Sequence, residues 1–99
     1  MNMKNPSHPG TVFKEMYLKP LSISLKNAAE IIGCSQKHIS NITNGKVGIT
    51  ADMATRIARM TNTSAKLWLG MQNSYDLAQL DLGQYKNIKC DLNVPAVSI

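Results

Sequence analysis

Residues 24–45, SLKNAAEIIGCSQKHISNITNG, read as two short helices joined by a sharp turn. Counting Leu25 as the first position, Ala29 is the fifth, Gly33 the ninth and Ile39 the fifteenth. A helix-turn-helix needs that pattern. A small residue at Ala29 lets the second helix cross closely over the first. Gly33 supplies the positive φ that the turn demands, where a Cβ is penalised. Ile39 fills the angle between the two helices. Taken singly, each of these residues is commonplace, and the trio also occurs by chance, so the flanking sequence has to support it.

Upstream, residues 1–10 are polar, carry Pro6 and Pro9, and read as an irregular lead-in. A first helix is expected from Thr11 to Leu18, with Val12, Phe13, Met16 and Tyr17 on its apolar face. Pro20 stops it, because the residue before a proline is pushed out of the α region. Leu21 and Ile23 are expected to anchor the linker to the core. Ser24 is the natural N-cap of the next helix and Ser35 that of the one after, Gln36–Thr43. Ala28, Ala29 and Ile32, then Ile39 and Ile42, fall at helical spacing and point inward. Asn44-Gly45 ends that helix.

Downstream, Thr50 caps a fourth helix with Asp52 in its first turn, favourable to the helix dipole. Met53, Ala54, Ile57 and Ala58 form its buried stripe, with Arg56 and Arg59 on the solvent side. Ser64 caps a fifth helix, expected from Ala65 to about Asp81 and ended by Gly83. Leu67 and Trp68 are expected to close the core. Met71, Tyr75, Ala78 and Leu82 continue the stripe beyond it. Such a stripe is more often core than interface; here its far end is assigned to a contact with a second copy of the chain. The fold class is therefore all-α: a five-helix domain over residues 8–82 and a C-terminal tail over 83–99. The partial alternation of Tyr85, Ile88 and Cys90 makes that tail a short strand or a partly disordered arm.

Composition narrows the function. The chain has 99 residues, enough for one domain, with 43% hydrophobic residues and a formal net charge of +5. A basic balance favours an anionic partner. Cys34 and Cys90 lie far apart, and with His8 and His38 they match no zinc spacing. Cys34 reads as a small apolar filler behind the turn. No apolar run approaches the ~20 residues of a membrane span, and the N-terminus lacks a signal-peptide core, so a cytoplasmic protein is expected. No paired-carboxylate cleft, phosphate loop or nucleophile motif marks an enzyme, and no metal or cofactor is expected.

The second helix of a helix-turn-helix offers its N-terminal side chains to base edges in the major groove. Here those are Gln36, Lys37 and, one turn on, Asn41. Gln and Asn pair bidentately with adenine, and Lys donates to guanine O6 and N7. His38 and Ser40 flank this set. The helix starts at Ser24 and Ser35 present backbone N–H groups suited to phosphate. Lys26 and Lys46 are placed to clamp the DNA backbone on either side. In most proteins a polar helix face of this kind is only a solvated face. Here the turn pattern and a stretch holding three lysines and one acid, Glu30, between Ser24 and Thr50 favour double-stranded DNA.

Residues 8–80 as a whole resemble HigA-type antitoxins, also labelled virulence-associated protein I, within the lambda-repressor-like, XRE-type family. The matching runs are His8-Pro9-Gly10, Asn44-Gly45-Lys46, Gly48–Ala54 and Trp68-Leu69-x-Met71-Gln72-x-x-Tyr75-Asp76-Leu77. The resemblance implies a dimeric autorepressor on a palindromic operator that also binds a HigB-type, mRNA-cleaving toxin. It carries the DNA-reading role onto Gln36, Lys37 and Asn41, where the family often has arginines, so the mode of binding transfers and the operator sequence does not. A phage-like repressor without a toxin partner is the alternative, and an interaction module on the same scaffold is a third.

Overall fold

The computed structural model describes residues 6–90. Among them are five helices and no strand: α1 Pro9–Phe13, continued by a π-helical turn Lys14–Leu18; α2 Leu25–Ile32; α3 Gln36–Thr43; α4 Ala51–Thr61; and α5 Ala65–Gln79. A 3-10 turn, Leu82–Tyr85, follows.

Local chemistry sets most of the boundaries. Ser24, Ser35, Thr50 and Ser64 each accept a hydrogen bond from the backbone N–H three residues on, which satisfies one orphan donor per helix. Gly33, Asn62 and Gly45 adopt left-handed conformations at the ends of α2, α4 and α3. After Gly33, Cys34 N–H reaches back to Ala29 O (3.0 Å); after Gly45, Lys46 N–H reaches Asn41 O (2.9 Å). These are Schellman closures.

The core joins every helix: Phe13 and Leu18, Ala28, Ala29 and Ile32, Ile39 and Ile42, Met53, Ala54, Ile57 and Ala58, and Trp68, with Ile49 from the α3–α4 loop. α1 packs against α3 and α5, α2 against α3 and α4, and α4 against α5. Ile39 is fully buried in the angle of the helix-turn-helix and Ala29 is buried beneath it, as the spacing requires.

Several expectations are corrected. The first helix starts at Pro9, two residues early, because His8 caps it: Nδ1 accepts from Gly10 N–H (2.9 Å). Proline suits the first helical position, where its missing N–H costs nothing. The π-helical turn, with Lys19 N–H on Lys14 O, carries the inward face from Phe13 to Leu18 in one five-residue step. Met16 is consequently turned out, 65% exposed. Leu21 is also exposed, because Ser22 takes a left-handed φ of 53° and turns the chain so that Ile23, not Leu21, packs on the core.

Leu67 is 48% exposed; the inward arc of α5 is filled by its neighbour Trp68. α5 stops at Gln79 rather than near Asp81. Among the described residues, every one from Asp76 on is exposed, so no core contact extends the helix. Asp81 instead caps the 3-10 turn by accepting from Gly83 N–H (3.1 Å). Tyr85 belongs to that turn, so the strand expected there does not form among the described residues. The remainder of the tail, 91–99, lies outside them.

Candidate nucleic-acid interface

The expected side chains of the turn unit are all at least partly exposed. Gln36 and Lys37 are exposed in the first turn of α3; His38 and Asn41 are half-buried on the same helix. Ser40, also half-buried, lies within 3.4 Å of the amide of Asn44, which accompanies the set although sequence reasoning passed over it. Lys46 is exposed just beyond the end of α3, and Lys26 is exposed in the first turn of α2.

Ser24 and Ser35 have a defined job. Their Oγ atoms accept from Asn27 N–H (3.1 Å) and His38 N–H (3.0 Å), so each hydroxyl oxygen is engaged as a cap. What remains at both helix starts is the positive end of the dipole and the unpaired N–H groups of the first turn. An anion is favoured there, with the hydroxyl protons free to donate.

The ion pairs among the described residues are Glu15–Lys19 and Asp52–Arg56, both exposed. Lys26, Lys37 and Lys46 take part in neither, so no ion pair among the described residues engages their charges. The one acid of the stretch, Glu30, is exposed on α2.

Three residues without an assigned role support this face from behind. Arg56 of α4 donates from Nη1 to the carbonyls of Ile32 (2.8 Å) and Gly33 (3.2 Å) and from Nε to Asp52 (2.9 Å). It thereby caps the C-terminus of α2 at the turn itself. Its side chain is indeed on the solvent side, but it spans to a neighbouring helix. Gln72 of α5 is buried and accepts from Ile49 N–H (2.8 Å) in the loop after α3. His8 is buried against that same loop and meets Tyr75 edge-on at 4.9 Å. In the sequence, His8 and Gln72 stand out only as members of the matching runs. The capping role of Arg56 gives no signal, since the carbonyls it caps are 23 and 24 residues away.

Cys34 is half-buried behind the turn, and burial pushes its thiol pKa up, with Arg56 opposing. A neutral thiol acting as packing follows. Burial pushes the imidazole of His8 below its ordinary pKa, against a hydrogen bond with the Val47 backbone and the charge of Asp76. The unfolded chain therefore takes up a proton at a higher pH than the folded one. Stability from this group is complete above about pH 6.5 and is lost as pH falls towards the lower folded value. Protonation at Nδ1 also removes the acceptor that caps α1. Urea midpoints should drop between about pH 7.5 and 5.5, and a His8→Gln variant should show a smaller drop. Equal drops in the two proteins would rule this out.

A helix-turn-helix family model, HTH_3, matches residues 15–68, more than half of the chain. The chain belongs to this family. Its members of similar sequence include two proteins of Dichelobacter nodosus. Virulence-associated protein A′ is 40% identical over 79 residues, covering 79% of this chain and 68% of that protein. Virulence-associated protein I is 41% identical over 70 residues, covering 71% and 65%. The chain thus spans about two thirds of the length of these relatives. Among solved structures it is similar to Pseudomonas aeruginosa antitoxin HigA with the higBA promoter, at a TM-score of 0.78 and 30% identity. The match covers 89% of this chain and all of that one. The resemblance to HigA-type antitoxins and virulence-associated protein I holds, and so does the five-helix architecture.

Proposed function

We propose that this protein is a sequence-specific DNA-binding antitoxin that represses its own operon. The observation that carries this is α3, with Gln36 and Lys37 exposed and Asn41 half-buried, and with Lys26 and Lys46 to either side in the chain and outside any ion pair among the described residues, on a fold shared with an antitoxin solved on promoter DNA. Gln36, Lys37 and Asn41 read bases; Lys26, Lys46 and the helix starts at Ser24 and Ser35 hold phosphates; His38 and Ser40 contact the edge of the groove. The protein acts in the cytoplasm; among the described residues, no helix is long and apolar enough to cross a membrane.

It binds the operator as a homodimer through α5 and sequesters a HigB-type toxin. Of the side chains assigned to the dimer contact, Met71 packs partly on the core and Tyr75 on His8, while Ala78 and Leu82 are exposed. Beside them, Leu67, Gly70 and Ser74 line an open groove of about 540 Å³. Leu77 and Leu80 extend this exposed side of α5, and they add the apolar area that Ala78 lacks. Two copies related by a twofold axis would set their α3 helices about one DNA turn, roughly 34 Å, apart.

The test is a band shift on the region upstream of the chain's own gene. Asn41→Ala should weaken binding by about 1–3 kcal/mol and relax the preference at one base pair per half-site. Unchanged selectivity would remove Asn41 from the reading set, and absence of any preferred duplex would remove the function. Sedimentation should return a dimer, and co-expression with the adjacent gene product should return a complex. A dimer that binds the operator and leaves that product free would favour the repressor without a toxin.

A further inference from the structure

Lys46, the proposed phosphate clamp, is carried on the loop between α3 and α4, and that loop is held by residues far from the DNA-facing side. At its start, Lys46 N–H closes on Asn41 O. At Gly45, a Cβ would come within 3.7 Å of the ring of His8, so the loop lies against that buried imidazole.

The other end of the loop is held by Gln72. Its Oε1 accepts from the buried N–H of Ile49 (2.8 Å), and its Nε2 donates to Asp76 Oδ1 (2.9 Å). A carboxylate only accepts, so Asp76 fixes which end of the amide faces Ile49. The amide also lies flat against Gly48, where a Cβ would meet Nε2 at 3.3 Å. Gln72 is thus oriented by its own helix and aimed at the loop backbone, and among the described residues its hydrogen bond to Ile49 is the one side-chain hydrogen bond between α5 and that loop.

We infer that Gln72 is a positioning residue for DNA binding: with Asp76 orienting its amide, it holds residues 48–49 so that Lys46 meets the phosphate backbone. This rests on the DNA-binding function proposed above. It makes α5, the helix assigned to the contact between copies, mechanically continuous with one of the DNA clamps.

The experiment is a double-mutant cycle on operator affinity as a function of salt, with the full chain, at a temperature where circular dichroism shows each variant folded. Lys46→Ala should lower the salt slope by about one per chain bound. Gln72→Met should lower it by a similar amount and weaken operator binding severalfold, and adding Lys46→Ala to it should change little more. The exchange Gln72→Glu with Asp76→Asn keeps the net charge and restores a donor–acceptor pair, and should return the slope towards that of the natural protein. If Gln72→Met does not fold, Gln72→Asn, which keeps the amide but shortens its reach, takes its place.

A residue that merely stabilises the fold would lower the melting temperature and leave the slope alone. Additive effects of Gln72→Met and Lys46→Ala, or an unchanged slope in Gln72→Met, would overturn the positioning role while leaving DNA binding standing. An unchanged slope in Lys46→Ala would overturn the clamp and with it this role. A natural protein with no affinity for duplex DNA would overturn the underlying function as well.

Discussion

Gly10→Ala is expected to destabilise the protein by about 3 kcal/mol or more, since of the chain's glycines Gly10 leaves the least room for a Cβ. Gly10 has ordinary helical angles; its φ is not positive. By intrinsic propensity alone, alanine would stabilise α1 by up to about 1 kcal/mol. Packing reverses that sign. A Cβ at Gly10 would stand 1.8 Å from the carbonyl oxygen of Ile42 and 2.6 Å from its carbon. Those are backbone atoms of α3, and they cannot rotate aside as a side chain can. Either α1 lifts from α3, exposing Phe13, or α3 shifts and moves Asn41 with it. The first breaks the core and the second disturbs the helix proposed to face DNA. Thermal melts should show a drop of about 10 °C or more, since about 1 kcal/mol corresponds to roughly 4–8 °C in a domain of this size. A melting point equal to or above that of the natural protein would mean that α1 does not cross α3 this closely.

Trp68→Ala is expected to cost about 3–5 kcal/mol, a large part of the stability of a domain this small. The indole is 1% exposed. It meets Phe13 edge-on at 6.0 Å and Tyr17 at 5.9 Å, so it joins α5 to both the α-helical and π-helical parts of the first helix. Its Nε1 donates to Thr63 Oγ1 (2.7 Å), which is itself within 2.7 Å of Thr61 Oγ1. Removal opens a cavity at the junction of α1 and α5 and leaves that hydroxyl pair without its donor. Trp68→Phe keeps most of the ring contact and loses the hydrogen bond, so it should cost clearly less. Circular dichroism in urea is the measurement, because Trp68 is the chain's one tryptophan and its removal also removes the fluorescence signal. A loss below about 1 kcal/mol in Trp68→Ala would mean that the first and fifth helices are joined elsewhere.

The two residues illustrate different degrees of legibility. Trp68 could be assigned to the core from its position in an apolar stripe. The requirement for glycine at position 10 could not, since it depends on a carbonyl 32 residues away in the chain. Likewise, Lys37 and Asn41, four residues apart, could be placed on one helix face by counting. That Lys26, Lys37 and Lys46 take part in neither ion pair depends on where the acids lie in space.

The sequence by itself determined the five helices, the serine and threonine caps of α2 to α5, the left-handed turn at Gly33 and the inward stripes of α2, α3 and α4. Those features are set by interactions within three to five residues, and the local residue types specify them. Only the tertiary structure decided the π-helical turn that buries Leu18 and exposes Met16, the end of α5 at Gln79, the Arg56 cap on α2 and the hold of Gln72 on the Lys46 loop. Each of these is settled by what lies across the core, or by the absence of anything there. Sequence periodicity records which face of a helix is apolar; it does not record which backbone atom of another helix that face will meet.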